Sequence, residues 1–175
     1  MKKILLFTAL IGLSFQGFSQ DVKYGIRGGL NISNLDFSTP YATENKHRNS
    51  IYFGAFANIS LSKTTALVPG FEFSAEGAND ESIHLDYLQV PVLLRFRLSE
   101  KFHVGAGPQA SLKIHKYEDG IKNFAYSGVA NLEYKINLML FAELRYNYGF
   151  TNIFDDHLGV NAKNRTIQLG LGYKF

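Results

Sequence analysis

The segment FHVGAGPQASLKI, residues 102–114, decides the fold of this chain. Its apolar side chains occupy alternate positions, from Phe102 through Ala106 to Ile114, and polar residues or glycines such as His103 stand between them. A side-chain period of two is typical of a β-strand that has one apolar and one polar face. The segment therefore predicts a long amphipathic strand.

The same alternation recurs along the chain and predicts eight strands, near residues 23–33, 51–61, 65–76, 85–98, 102–114, 123–135, 138–150 and 164–175. The intervals between the strands are alternately long and short, and the short ones are tight turns at 62–64, 99–101 and 136–137. This spacing indicates an up-and-down antiparallel meander in one domain. Eight such strands are expected to close into a barrel, because closure removes both exposed sheet edges.

The composition excludes several other classes of protein. The 175 residues include no cysteine, which excludes disulfide frameworks and thiolate zinc sites. No run of about 18 apolar residues is present, so a helical membrane protein is excluded as well. Lys2 and Lys3, the apolar stretch 4–15 and small residues before position 20 predict a secretory signal peptide over 1–19 and a barrel domain over 20–175. Removal of the signal peptide lowers the formal net charge from +3 to +1. Because the exported chain is then nearly neutral, nucleic acid is not expected as a partner.

Strand length, aromatic placement and glycine placement predict that the apolar face points outward, against lipid. Most strands are long enough for a tilted membrane strand, which needs about 9–11 residues. Most strand glycines lie on the polar face, as the crowded lumen of a small barrel requires. Val92, Ala106 and Leu140 are expected near the midplane. The aromatic residues predict two interfacial girdles: Tyr24, Phe96, Phe102, Tyr134, Tyr173 and Phe175 at the periplasmic end, and Phe53, Phe73, Phe124, Tyr126, Tyr148 and Phe150 at the outer end.

Charges on the polar face predict a paired network inside the lumen, formed by Arg27, Arg95, Arg97, Arg145, Glu72, Glu76, Glu133 and Glu143. We expect Glu72 to pair with Arg95, and Glu133 to pair with Arg145 or Arg97. Eight strands leave an interior filled by side chains, so no open pore is expected. The alternative with the apolar face inside is a soluble periplasmic lipocalin-like barrel; lipocalins normally carry a Gly-x-Trp near the first strand, and this chain has no Trp.

The outer loops offer candidates for binding and for chemistry. Basic residues there would suit the phosphates of lipopolysaccharide: Lys46, Arg48, Lys116, Lys122, Lys163 and Arg165. Ser82, His84 and Asp86 share one strand face and keep an outer-leaflet lipid- or peptide-processing enzyme open as an alternative, although their i, i+2 spacing separates them by about 6–7 Å. Asp155, Asp156 and His157 are more typical of a solvated turn than of a cation site. We expect no catalytic residue, metal or cofactor.

Several segments resemble the PorT-type outer-membrane β-barrel proteins of Bacteroidota. The first is YGIRGGLNISNL at 24–35, followed by YLQVPVLL at 87–94 and GAGP at 105–108. The resemblance implies an eight-stranded antiparallel transmembrane barrel in the outer membrane of a Gram-negative cell, and no catalytic residue carries over. The resemblance also implies that the barrel could bind a secretion-system component or another partner at the cell surface.

The C-terminal segment is similar to the insertion signal of outer-membrane proteins, which the insertion machinery recognises. Apolar residues stand at every second position up to a terminal Phe: Ile167, Leu169, Leu171, Tyr173 and Phe175. The sequence thus predicts an integral outer-membrane barrel with a structural or surface-interaction role, in contact with membrane lipid and lipopolysaccharide.

Overall fold

The computed structural model describes residues 21–37, 46–79, 84–114, 120–154 and 161–175, and the described chain forms a closed barrel of eight antiparallel strands. The strands are β1 (Val22–Phe37), β2 (Arg48–Ser60), β3 (Thr65–Gly77), β4 (His84–Arg97), β5 (Phe102–Lys113), β6 (Phe124–Lys135), β7 (Leu140–Gly149) and β8 (Ala162–Lys174). Each strand pairs with its sequence neighbour, and β1 pairs with β8 to close the ring. No helix long and apolar enough to cross a membrane is found in the described ranges. The predicted fold class is confirmed.

The apolar face of every strand points outward, as in a membrane barrel. On β1 and β8, Leu30 and Leu169 are largely exposed on the outer surface, while Asn31 and Gln168 beside them are fully buried inside. The buried set on the inner face includes many charged and amide side chains, which a water-soluble barrel would place outside. The period-two pattern therefore has the facing that the sequence predicts.

Aromatic side chains on the outer surface form two girdles at the expected ends. Phe102 and Tyr134 pack with ring centroids 5.1 Å apart at the end of the barrel where the short turns lie. At the other end, Tyr148 and Phe150 pack edge to face at 5.9 Å. Girdles of this kind lie at the two membrane–water interfaces. Because bacterial barrels keep their short turns in the periplasm, the Phe102 end is the periplasmic end.

The three short turns are closed by polar side chains that cap backbone N–H groups. The Asn137 side-chain oxygen accepts from the N–H groups of Met139 and Leu140 at 2.9 and 2.7 Å. Ser62 and Ser99 do the same for the other two turns. Such Asx and Ser turns explain why tight turns form here. They also place Leu140 at the periplasmic end of β7, so the expected position of Leu140 near the midplane is wrong.

A β-bulge interrupts the seam between β2 and β3 near the outer end. The ladder runs up to the pair Tyr52↔Ser74, and the strands meet again at the bridge His47↔Ala78, one residue out of register. Side chains cap the β3 carbonyls in between: Ser50 Oγ donates to Ala75 O at 2.6 Å, and an Arg48 guanidinium N–H donates to Glu76 O at 2.7 Å. From Ile51 onwards the facing of β2 alternates without a break: Ile51 and Phe53 are exposed outside, and Tyr52 and Phe56 are buried inside. The sequence of β2 therefore carries apolar residues on both faces.

Candidate functional site

A buried ion-pair network fills the middle of the barrel. Glu72 is fully buried and bridges two guanidinium groups: Arg27 Nη2 lies 2.8 Å from Oε1 and Arg145 Nη1 lies 2.6 Å from Oε2. Arg27 also lies 3.5 Å from Glu143, and the Tyr52 hydroxyl donates to Glu143 at 2.9 Å. Strands β1, β2, β3 and β7 each supply a member of this cluster. The chain is thus cross-linked through its lumen by charge-assisted hydrogen bonds.

A second ion cluster lies nearer the periplasm and contradicts the predicted pairings. Arg95 contacts both carboxylate oxygens of Glu133, at 2.9 and 3.2 Å, and Lys174 also binds Glu133. The predicted pair of Glu72 with Arg95 is wrong, because the β3–β4 register sets Arg95 opposite Ala66, six residues along β3 from Glu72. At about 3.4 Å per residue, the backbone positions of the two residues are some 20 Å apart along the strand.

The remaining predicted members of the network lie elsewhere in the barrel. The predicted pairing of Glu133 with Arg145 or Arg97 is wrong, since Arg145 binds Glu72. Arg97 is exposed at the periplasmic mouth, and no ion pair of Arg97 is found in the described chain. Glu76 lies towards the outer end in a buried amide layer, where Ser74 and Gln89 donate to it at 2.7 and 2.8 Å.

Two apolar layers separate the central network from both ends of the barrel. The inner layer lies on the periplasmic side of the central network and is formed by Phe56, Ala66, Val68, Leu93, Val129 and Phe141. The outer cap closes the other end and is formed by Leu35, Ala78, Leu85, Tyr87, Ile121, Ile153, Phe154 and Ala162. An isolated bridge between Ile121 and Phe154 holds two loop segments together over the lumen. Between these two layers the described interior is thus filled, as expected for eight strands.

Sequence reasoning missed the outer cap. Its loop members, Ile121, Ile153 and Phe154, are apolar residues within the long intervals 115–122 and 151–163, which the sequence predicts only as connections between strands. Apolar side chains in an exposed loop are the available signal, because they indicate a loop that folds back onto a core. Lys113 supports the cap from below by donating to the Ile121 carbonyl at 3.2 Å.

The outer rim places two of the predicted lipopolysaccharide contacts together on the lipid-facing surface. Arg165 pairs across strands with Asp36, and both side chains are about half exposed. The Arg165 guanidinium carbon lies 5.3 Å from the centroid of the Tyr148 ring, and the Lys163 ammonium nitrogen lies 5.6 Å from it. Tyr148 belongs to the outer aromatic girdle, so both cations lie at the depth of the lipid headgroups.

The other basic residues predicted at the rim are placed differently. Arg48 is mostly buried and pairs with Asp86 at 3.2 Å, so it is not available to lipid in the way that Lys163 is. Lys46 and Lys122 already make contacts within the protein, and Lys122 donates its backbone N–H to Ile153. Lys116 lies outside the described residues. The rim site therefore centres on β7 and β8.

The candidate catalytic and metal residues form no described cluster. Asp86 is engaged by Arg48, and Ser82 lies outside the described residues, as do residues 155–157. Within the described chain, no group of His, Asp and Glu residues is arranged to hold a metal ion.

Comparison with known proteins identifies the family. Residues 18–155 match the model of the outer membrane protein beta-barrel domain, and the chain belongs to this family. A comparison with curated protein sequences finds no significant match. The protein is therefore an outer-membrane β-barrel.

Solved outer-membrane barrels share the fold at low sequence identity. Ail, the attachment invasion locus protein of Yersinia pestis, is 15% identical, with 87% of this chain and 98% of Ail covered and a TM-score of 0.55. A structure of Ail in complex with the heparin analogue sucrose octasulfate gives 17% identity, 88% and 99% coverage and a TM-score of 0.55. Neisserial surface protein A is 10% identical, with 87% and 97% coverage and a TM-score of 0.55.

Proposed function

We propose that this barrel is a non-conducting, non-enzymatic outer-membrane protein that binds anionic lipid at its outer rim and presents its loops to a surface partner. The observation that carries the proposal is the pair of cations over the Tyr148 ring. Lys163 and Arg165 face the lipid directly beside the outer girdle. Lipopolysaccharide offers phosphate groups at this depth, and guanidinium groups bind phosphate through two parallel hydrogen bonds.

The size of the effect follows from the number of contacts. Basic residues near an anionic membrane surface contribute about 1 kcal/mol each. Loss of both Lys163 and Arg165 should therefore lower the affinity for lipopolysaccharide about thirtyfold. In the wild type, Arg165 neutralises the Asp36 carboxylate. In the variant this carboxylate would no longer be paired with Arg165 and would repel the lipopolysaccharide phosphates.

The test compares two variants that lose the same charge at opposite ends of the barrel. Affinity of the purified barrel for lipopolysaccharide is measured for the wild type, for Lys163→Gln/Arg165→Gln and for the control Arg97→Gln/Lys135→Gln. The rim variant should bind about thirtyfold more weakly, and the control should bind like the wild type. Equal affinities in all three proteins would contradict the proposal. Sucrose octasulfate, which is bound to Ail in one structure, serves as a soluble competitor because its sulfates would seek the same cations.

The absence of conduction is a separate expectation. The outer cap and the central network block the described lumen, so the purified barrel should give no stable single-channel current in a planar bilayer. A steady conductance would show that the loops open in the membrane.

For the enzyme alternative, His84→Ala should leave the acylation profile of the membrane lipids unchanged.

The finer family assignment is also part of the proposal. The segments at 24–35 and 87–94 support a PorT-type protein of Bacteroidota, exported by the signal at 1–19 and inserted by recognition of its C-terminal strand. A secretion-system or surface component is the partner that this assignment favours. Crosslinking in native membranes followed by capture of the barrel would identify it.

A further inference from the structure

The barrel interior opens towards the periplasm into a cavity, here called the vestibule. Its volume is about 330 Å³, and residues of the short turns, such as Lys63 and Asn137, line its rim. Ala66 and Phe141 of the inner apolar layer line it as well. The vestibule is therefore a blind chamber, separated from the central network and from the cell surface, and any ligand would enter it from the periplasm.

Cations dominate the wall of the vestibule. Five of them belong to strands and share the inner face by period-two alternation: Lys23, Arg95, Arg97, Lys135 and Lys174. Two carboxylates, Asp21 and Glu100, line the vestibule with them, and a third, Glu133, lies behind the wall in contact with Arg95 and Lys174. In a concave site with low-dielectric walls, such an excess of one sign concentrates counter-ions of the opposite sign.

The internal ion pairs leave part of this positive charge uncompensated. Glu133 is shared by Arg95 and Lys174, and Asp21 lies 3.6 Å from Lys23. In the described part of the chain, neither Arg97 nor Lys135 has an ion-pair partner within 4.0 Å. The excess cations thus come from β4 and β6, on the wall of the same chamber.

A histidine on the same wall gives an independent indication of a ligand. His103 is buried, and its Nδ1 atom has no hydrogen-bond partner among the described residues. The Nδ1 atom lies 3.9 Å from Glu133, beyond hydrogen-bond distance. Buried polar atoms are normally satisfied, so an unpartnered one on a cavity wall marks a place where a polar ligand atom or a water would bind.

We propose that the vestibule binds a small multivalent anion from the periplasm through Arg97, Lys135 and His103. At about 30 Å³ per water molecule, the chamber has the volume of about eleven waters, which suits a small molecule and excludes a folded domain. The Phe141 ring, with Lys174 Nζ 4.3 Å from its centroid, offers an apolar surface beside the cations. Carboxylates and phosphates share the required chemistry.

Calorimetric titration of the full-length protein purified from membranes tests the proposal, with citrate and pyrophosphate as separate probes at constant ionic strength. We expect saturable binding of at least one probe, and the probe that binds more tightly distinguishes a carboxylate from a phosphate ligand. The variant Arg97→Gln/Lys135→Gln should bind at least tenfold more weakly, while Lys163→Gln/Arg165→Gln should bind like the wild type.

Three results would overturn the proposal: no saturable binding of either probe, an equal loss in both double variants, or affinity unaffected by Arg97→Gln/Lys135→Gln. Heat-modifiable gel mobility confirms that each variant is folded. If the double variant does not fold, the single variant Arg97→Gln, at an exposed position, carries the same expectation in weaker form. Because lipopolysaccharide binding depends on the opposite end of the barrel, failure of one proposal leaves the other intact.

Discussion

Neutralising Glu72 should be among the most destabilising single changes in this barrel. Glu72 lies between Arg27 and Arg145, at 2.8 and 2.6 Å, and Glu72→Gln keeps the side-chain volume while removing the charge. Removing one member of a buried ion pair costs about 3–5 kcal/mol, because the remaining charge stays buried without compensation. Arg27 would keep Glu143 at 3.5 Å. Arg145 depends more on Glu72, since its Nε and Nη2 atoms have no hydrogen-bond partner among the described residues.

A double-mutant cycle separates this pairing from a general loss of packing. If Glu72 and Arg145 are coupled, Glu72→Gln/Arg145→Met should cost less than the sum of the two single changes, by up to about 3 kcal/mol. Glu72→Gln/Arg95→Met is the matched control. Arg95 binds Glu133 instead, so these two effects should add within about 0.3–0.5 kcal/mol.

The measurement is urea unfolding of the refolded barrel in detergent. The chain has no Trp, so folding is followed by far-ultraviolet circular dichroism and by heat-modifiable gel mobility. Additive effects for Glu72 with Arg145, or strong coupling of Glu72 with Arg95, would refute the arrangement of the network.

Three further changes test the lipid face, the lumen and assembly. Ala106→Arg, on the lipid face near the midplane, should cost about 2–4 kcal/mol by the same unfolding assay, and a neutral effect would mean that Ala106 faces away from lipid. Gly170→Ala should cost about 1–3 kcal/mol, because its Cβ would collide with the Tyr52 hydroxyl that donates to Glu143; unchanged stability would show that the ring can move. Deletion of Phe175 should lower the amount of barrel in isolated outer membranes and leave soluble chain in the periplasm, whereas unchanged membrane levels would contradict the insertion signal.

The strands and their facing could be predicted from the sequence because both depend on local patterns. Alternation with a period of two identifies a strand and its two faces wherever one face is buried or in lipid. The segment at 102–114 shows this, and the structure ends its strand at Lys113. Tight turns were equally local, since Ser62, Ser99 and Asn137 cap the backbone within two or three residues. The pattern is least distinct in β2, because Tyr52 and Phe56 place aromatic side chains on the inner face.

The ion pairs could not be predicted, because they depend on the stagger between strands. Neighbouring strands in a barrel are shifted along one another by an amount that the alternation does not encode. The predicted pair of Glu72 with Arg95 assumed that charges on adjacent strands meet. The register instead sets Glu72 opposite Gln89, and its partners come from β1 and β7 across the lumen.

The position of the two apolar layers explains why the two sets of lumen charges should behave differently. The outer cap and the inner layer exclude water from both sides of Glu72 and its arginines, and electrostatic attraction is stronger in such a low-dielectric region. These charges therefore act on one another and stabilise the barrel. Arg97 and Lys135 lie beyond the inner layer, in contact with periplasmic water, where they are free to exchange hydration for a ligand. The same residue types thus serve stability in the centre of the lumen and recognition at its periplasmic mouth.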